Sequence, residues 1–332
     1  MRVAVLAGGR SSEREISLTS ARSVLEALDP ERYDVVTVAI GKDGRWELGS
    51  GSDGATVAET LPVPAANAPA TLGRVDVVLP ILHGPFGEDG TVQGLLELAG
   101  VPYVGAGVTA SGLCMDKDLF KKVMRESGIP VARSVTLRTG DVPANPFEFP
   151  VFVKPARLGS SVGITKAHDD GELRAGVELA FRHDEKILIE EFVDGVEVEV
   201  GVLGNLDPVA SLPGQIVPIG HEWYDYASKY DDGGMELVIP PEGISEETTA
   251  LVQRAAVDAF RVTDCEGMAR VDCFVVGGDT VIVNELNTIP GFTATSVYAK
   301  LFEASGIPYQ ELLERLIALA RERHERRSRL QF

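Results

Sequence analysis

Cysteine is scarce in this chain. Cys114, Cys265 and Cys273 are the only three in 332 residues, and no two stand in a CxxC spacing. So sparse and odd a set argues against a disulfide framework or a zinc site, and for a reducing compartment. Long apolar runs are also missing. No stretch approaches the length that spans a bilayer, and the run from Val3 to Ala7 is too short for a signal-peptide core. The expected location is cytoplasmic. Basic residues are outnumbered, 31 against 50 acidic, for a formal net charge of −19. That balance argues against nucleic acid and membrane partners and for solubility. It makes the few lysines that stand close to glycines more informative.

What is present is an ordinary globular composition, 44% hydrophobic and 24% charged, with length for about two domains or three small ones. No repeat or low-complexity segment is visible. Val3 to Ala7 reads as a buried strand, followed by the turn Gly8-Gly9-Arg10-Ser11-Ser12. Ser12-Glu13-Arg14-Glu15 has the form of a capping box, with Ile16, Val24, Leu25 and Leu28 as the apolar face of a helix that Pro30 stops. Asp34 to Ile40 is a second strand, so the chain opens as an α/β layer with a parallel sheet. Arg10 stands where a dinucleotide fingerprint needs its second glycine, which excludes that motif. After a proline-rich loop at 61–70, Val75 to Leu82 is a strand that ends in His83-Gly84-Pro85-Phe86-Gly87-Glu88-Asp89-Gly90. Open α/β sheets bind ligands beyond the carboxyl ends of their strands, and this places His83 there. Thr91 to Ala99 is a helix closed by Gly100.

A second unit starts near residue 106. Gly107 to Leu113 approaches a P-loop, but Leu113 occupies the lysine position and the motif is rejected. Asp116 caps a helix with Leu119, Phe120, Val123 and Met124 as its stripe, ended by Gly128 and Pro130. Lys117 falls in that helix's first turn, where a cation opposes the dipole unless an anion lies close. Pro150 to Pro155 is a strand carrying Lys154, followed by the Gly/Ser loop Arg157 to Ile164. The backbone N–H groups of such a loop can cradle phosphates. Lys186 to Glu197 is a buried strand and an Asp-Gly turn, a connector able to meet a base and a ribose; a plain turn is the alternative. Val196 to Leu203 alternates as a half-buried strand does. Residues 220–235 carry four aromatics without a period. A polar loop of that length reads as a lid that docks. Helices are expected at Glu246 to Val262, Ser296 to Ser305 and Tyr309 to Arg323.

The densest chemistry lies late, in Val281 to Thr293. Residues two apart in a strand share a face, so Glu285 and Asn287 project together, and Arg270-Val271-Asp272 sits in the strand-like run before them. Asp272, Glu285 and Asn287 offer only hard oxygen donors, which suits Mg²⁺ completed by water and phosphate oxygens. Two polar residues closing an edge strand are the plainer alternative.

The Ser11-Ser12-Glu13-Arg14-Glu15-Ile16-Ser17 segment, the His83-to-Gly90 segment, Lys154-Pro155 with Gly159-Ser160-Ser161-Val162-Gly163, and the Asn284-to-Thr293 stretch stand in the order found in one family. Across nearly its whole length the chain resembles D-alanine–D-alanine ligases of the ATP-grasp superfamily. The resemblance implies a three-lobed α/β architecture with α+β lobes. An N-terminal parallel-sheet domain would span 1–106, a central lobe 107–193, and a C-terminal lobe 194–332 with the lid at 220–235. ATP would lie between the last two. Lys117 and Lys154 would hold its phosphates, with Ser161 of the loop beside them. Glu190 and the backbone of Glu191, Phe192 and Val193 would receive adenine, and Glu197 the ribose. Asp272, Glu285 and Asn287 would bind two Mg²⁺ ions, for which Mn²⁺ would substitute. Glu15 would orient the amino group of the first D-alanine through a chain with Ser160 and Tyr230. Arg270 and the Gly291 N–H would face the tetrahedral oxyanion. Lys229, Ser296 and the backbone of Val297 would contact phosphate or the second carboxylate, and His83 would lie near the first substrate. Glu191 departs from the family pattern, where lysine is common; a backbone contact tolerates the change.

The activity so implied is ATP-dependent joining of two D-alanine molecules through a D-alanyl phosphate, for peptidoglycan precursors and hence cell-wall formation, by a homodimer. A D-lactate or D-serine acceptor is the second reading, and a nucleotide-binding protein without catalysis the third. The full metal set and both lysines weigh against the third, because function resides in the site rather than in the scaffold.

Overall fold

The computed structural model describes residues 1–49, 62–63, 75–220 and 234–331. Among them, the first sheet holds β1 (Arg2–Gly8), β2 (Asp34–Ile40), β3 (Trp46–Gly49), β4 (Pro62–Val63) and β5 (Val77–Pro80), in the order β4-β3-β2-β1-β5. β1 pairs in parallel with β2 and β5, and β3 and β4 extend the edge antiparallel. Val3 to Leu6 are buried on both faces, as expected of a parallel strand covered from both sides. One face packs on α1 (Arg14–Ala27) and the long C-terminal helix, the other on α2 (Thr91–Ala99) with Trp46, Leu96 and Tyr103.

Two expectations for α1 are corrected. Its buried stripe is Ser17, Ser20, Ala21 and Val24, followed by Leu28, whereas Leu25 is exposed. The stripe is small because α1 sits close to the β1 turn, where Ser17 Oγ accepts from the Gly8 N–H at 2.8 Å. The capping box does not form either. Glu13 is the N-cap residue and makes no side-chain cap.

The central sheet, ordered β6-β9-β7-β8 and antiparallel, follows α3 (Val108–Met115) and α4 (Lys117–Glu126). It is built from β6 (Ser134–Arg138), β7 (Val151–Pro155), β8 (Thr165–Ala167) and β9 (Lys186–Glu191), with α5 (Asp170–Ala180) before β9. Val151, Val153, Ile187 and Ile189 turn one face onto Leu173 and Val177 of α5. By alternation, Phe152, Lys154 and Glu190 lie on the other face. On α4 the expected Asp116 cap forms, accepting from the Leu119 N–H at 3.1 Å. Its buried stripe is Phe120, Lys121 and Met124, with Asp118; Leu119 is exposed.

The third sheet runs β13-β12-β10-β14-β15 with β11 beside β10. Its strands are β10 (Val196–Gly204), β11 (Val209–Ala210), β12 (Gly214–Pro218), β13 (Met235–Val238), β14 (Gly267–Val276) and β15 (Thr280–Asn287), all antiparallel. α6 (Glu246–Val262) and α4 cover one face. On the other, Gly201 of β10 leaves room for the Phe302 ring of α7 (Val297–Ala304), which a Cβ would approach to 2.6 Å. β10 is therefore buried on both faces from Val198 to Gly204 and not half-buried as its alternation suggested. The chain ends in α8 (Tyr309–Ser328), whose buried Arg323 donates to the Tyr103 carbonyl at 2.7 Å and to that of Gly105. Val283 N–H donates to the Pro130 carbonyl at 2.9 Å, tying the third sheet to the central unit. No helix among the described residues is long and apolar enough to cross a membrane.

Candidate active site

At the carboxyl end of β1 the chain turns at Gly8 and Gly9, and Glu13 folds inward. It is 6% exposed, and its carboxylate accepts from Ser160 Oγ. Gly84 and Gly159 line it, and a Cβ on Gly84 would collide with Glu13 Oε2. Glu15, the expected partner of Ser160, is instead a surface residue. Its side chain is 79% exposed and pairs with Arg14 at 2.7 Å. The difference follows from where α1 begins: Glu13 precedes the first helical turn and faces the strand ends, whereas Glu15 lies within that turn on the outer side. The useful signal in the sequence was proximity to the Gly8-Gly9 strand end. Ser160 and Ser161 have φ of 52° and 57°. Two successive non-glycine residues in the left-handed region store strain of the kind that gathers at ligand sites.

Glu190 sits between two lysines. Lys154 Nζ meets its Oε1 at 2.5 Å, and Lys121 Nζ meets its Oε2 at 2.8 Å. Burial opposes the ionised carboxyl, but Lys121 and then Lys154 outweigh it and hold Glu190 at about 2. Lys154 also lies 5.2 Å from the centre of the Phe152 ring. Phe152 and the exposed Phe192 rings are 6.3 Å apart, forming an apolar flank beside the strand end. Glu191 accepts from the Arg133 backbone at 2.7 Å and from its guanidinium at 2.6 Å. Its side chain is thus committed to Arg133, and its main chain remains as the surface for a base. Val193 follows in the same connector, and Glu197 lies at the start of β10 opposite Phe274.

Across the cleft, Asp272 and Glu285 face each other on β14 and β15, as do Arg270 and Asn287. Arg270 grips Asp272 with two bonds of 2.7 Å and reaches Glu199 at 2.9 Å. Asn287 Nδ2 donates to Asp272 Oδ2 at 3.0 Å. Lys117 links this corner to the Gly/Ser loop: its Nζ donates to the Leu158 carbonyl at 2.8 Å and lies 3.5 Å from Glu285. An anion near the first turn of α4 was the condition for a lysine there, and Glu285 meets it. Glu199, which the sequence reading did not single out, is buried opposite Asp272 in the β10–β14 ladder; the Glu-Val-Glu alternation of β10 puts it on the same face as Glu197.

Beyond β15, Gly291 lies against Ser296, which is the N-cap residue of α7. The N–H groups there and at Val297 present the positive end of a helix, a place suited to a carboxylate or phosphate. His83 is buried and ties this loop to α1. Its Nδ1 lies 3.0 Å from the Ile289 carbonyl and its Nε2 3.4 Å from Ser20 Oγ. A carbonyl only accepts, so Nδ1 carries the proton. Burial, partly offset by Glu13, pushes the imidazole below its ordinary value, leaving it neutral. Both nitrogens engage protein atoms, so His83 bridges α1 and the loop after β15 in this geometry. Glu88, another residue the sequence did not single out, accepts from the Gly84 N–H at 2.7 Å and the Ile289 N–H at 3.2 Å. Burial, with Glu13 adding to it, pushes Glu88 up to about 8.

Lys229, Tyr230 and nearly all of the expected lid at 220–235 lie outside the described residues. Among the described residues no group of three or more His, Cys, Asp or Glu is arranged to hold a metal ion. Two carboxylates and an amide, Asp272, Glu285 and Asn287, are what β14 and β15 supply. That set fits a hard cation that completes its shell with phosphate oxygens and water.

The models of the D-ala D-ala ligase N-terminus and C-terminus match residues 2–106 and 123–318. The D-alanine--D-alanine ligase of Solibacter usitatus (strain Ellin6076) is 46% identical over 100% of this chain and 99% of its own length. The structure of VanG D-Ala:D-Ser ligase from Enterococcus faecalis is 35% identical, covers 96% of this chain and 99% of its own, and has a TM-score of 0.85. That of D-alanine--D-alanine ligase from Bacillus anthracis complexed with ATP is 27% identical, covers 98% and 99%, and has a TM-score of 0.80.

Proposed function

The chain belongs to the D-alanine–D-alanine ligase family, and from that premise we propose that it joins two D-alanine molecules at the expense of ATP, supplying D-alanyl-D-alanine for peptidoglycan. The observation that carries this reading is the facing of two charged corners. Lys117, Lys154 and the Gly/Ser loop stand on one side, and Arg270, Asp272, Glu285 and Asn287 on the other, joined through the Lys117–Glu285 contact of 3.5 Å. A carboxylate is a poor electrophile and a poor acceptor of a second anion. Transfer of the γ-phosphoryl group to the first D-alanine carboxylate therefore depends on positioning and on charge neutralisation. Lys117 and Lys154 hold the phosphates, and the Ser161 segment offers backbone N–H groups. Adenine rests against Phe152 and Phe192, with its polar edge on Glu190 and the backbone of Glu191 to Val193, and Glu197 takes the ribose. Mg²⁺ bound at Asp272, Glu285 and Asn287 would neutralise phosphate charge.

Glu13 receives the ammonium of the first D-alanine, with Ser160 fixing its carboxylate. Attack by the second amine on the D-alanyl phosphate puts charge on the carbonyl oxygen, where Arg270 and the Gly291 N–H stabilise it, each such donor being worth ~3 kcal/mol; the acyl C–O bond then breaks, and inorganic phosphate leaves as the nitrogen gives up its proton. Ser296, Val297 and Lys229 hold the second carboxylate, and Tyr230 closes the site and favours an amine nucleophile over D-lactate. We divide the chain into the lobes 1–106, 107–193 and 194–332 and assign it to the cytoplasm as a homodimer. The test offers D-alanine, D-serine and D-lactate separately as acceptor beside D-alanine, with ATP and Mg²⁺, and identifies the products. D-Alanyl-D-alanine with stoichiometric ADP is expected. A faster reaction with D-serine or D-lactate would replace the acceptor assignment, and no ADP with any of them would end the enzymatic one.

A further inference from the structure

Lys121 has no part in the roles assigned so far. It lies one turn beyond Lys117 on α4, so the two project from the same side of the helix. Its neighbour Lys122 is an ordinary surface lysine, 57% exposed and paired with Asp118. Lys121 is 1% exposed, and its Nζ has the Glu190 carboxylate at 2.8 Å as its ion-pair partner. Burial pushes its ammonium below the ordinary value, with Glu190 pulling it back. Among the described residues this nitrogen finds no hydrogen-bond partner outside that pair. Burying a cation carries a desolvation cost that even a close ion pair need not repay. Neutralising Glu190 does not require it, because Lys154 alone, at 2.5 Å from the other oxygen, would suffice. Two cations around one carboxylate leave a surplus positive charge in the wall of the cleft.

We propose that Lys121 is a positioning residue for the nucleotide: by sharing Glu190 with Lys154, it weakens that carboxylate's hold on Lys154 and leaves the trio with one surplus positive charge available to phosphate. This rests on placing the nucleotide in the cleft between β7, β9 and β15. Without Lys121, the Glu190–Lys154 contact is a net neutral pair, and a phosphate must compete with the full Glu190 charge for Lys154. The cost falls on nucleotide binding rather than on D-alanine.

The test uses the full-length enzyme and four variants: Lys121→Met, Glu190→Gln, the two combined, and Lys154→Met. ADP affinity is read by calorimetry, and KM and kcat by ADP release. Lys121→Met is expected to weaken ADP and raise KM for ATP about tenfold or more, the factor belonging to a charge pair of this kind, with KM for D-alanine unchanged. Glu190→Gln keeps an acceptor oxygen but no charge, so it cannot capture Lys154. The combined variant should therefore bind ADP within about threefold of Glu190→Gln alone, as a coupled pair requires. A Lys121 that merely fills space would give additive losses, and that result, or wild-type ADP affinity in Lys121→Met, overturns the proposal. Should Lys121→Met fail to fold, the comparison of the combined variant with Glu190→Gln decides alone, because neither of these leaves a buried carboxylate short of a cation. Unchanged ADP affinity in Lys154→Met would overturn the nucleotide cleft itself. Weakened ADP there with an unaffected Lys121→Met would remove only the role of Lys121.

Discussion

Replacing Glu13 and Glu15 in turn by glutamine separates two carboxylates that differ by one residue position on either side of Arg14. Glu13 is buried, packed on Gly84 and Gly159, and bonded to Ser160. Glutamine preserves its volume and an acceptor for the Ser160 hydroxyl, so the fold should persist. What disappears is the negative charge that we propose faces the ammonium of the first D-alanine. A hydrogen bond to a charged group is worth about 1.5–3 kcal/mol, so kcat/KM for D-alanine should fall roughly 10- to 150-fold. Glu15 is 79% exposed and pairs with Arg14 on the surface side. Surface changes of that kind stay within about 0.5 kcal/mol, or roughly a twofold effect. The assay is ADP release at saturating ATP over a range of D-alanine concentrations, with thermal melting to confirm that both variants fold. Equal losses in the two variants, or the larger loss in Glu15→Gln, would refute the inward placement of Glu13.

Three further outcomes are expected. Glu285→Gln removes charge from the corner shared with Asp272 and Lys117 and should lower turnover ~100-fold or more while the fold holds; near-normal turnover at saturating Mg²⁺ would cancel the metal assignment. Glu88 is held at about 8 against an ordinary 4.5 by burial and Glu13, so the folded chain keeps a proton that the unfolded chain has released across that window. Stability of the ligand-free enzyme should therefore fall as pH rises from about 5 to 8 and level off above, and Glu88→Gln should flatten the melting profile there; parallel profiles would contradict this. Tyr230→Phe should raise depsipeptide relative to dipeptide when D-alanine and D-lactate are offered together, and an unchanged product ratio between pH 6 and 9 would free Tyr230 of any part in acceptor choice.

Much of the scaffold was legible in the sequence because local rules and tertiary packing agree along it. The bounds of Asp34–Ile40, Thr91–Ala99 and Glu246–Val262 match those expected from periodicity and stop residues. Asp116 caps its helix as its position suggested. The facing of Asp272 and Glu285 was legible because both sit in apolar runs joined by a short turn, which fixes an antiparallel ladder. Misreadings came where packing overrode a pattern. β10 alternates in sequence yet is buried on both faces, because α6 covers one side and α7 the other. Leu119, expected in the buried stripe, is exposed, whereas Lys121, two positions on, is buried.

That contrast has a physical cause that bears on the site as a whole. A hydrophobicity pattern treats a lysine as a residue that must reach water, and in a chain of net charge −19 most lysines can find an acidic partner at the surface. Inside the cleft the acids are themselves buried: Glu190, Glu199 and Asp272 are each 2% exposed or less. A buried carboxylate demands a cation, and the cation must come from whichever neighbouring element faces it, at a sequence distance that no local pattern encodes. Glu190 draws Lys121 from α4 and Lys154 from β7, and Glu199 draws Arg270 from β14. The ionic interior is thus organised by its acids, and the residues that the sequence hid, Glu13, Lys121 and Glu199, are each one half of such a long-range polar contact.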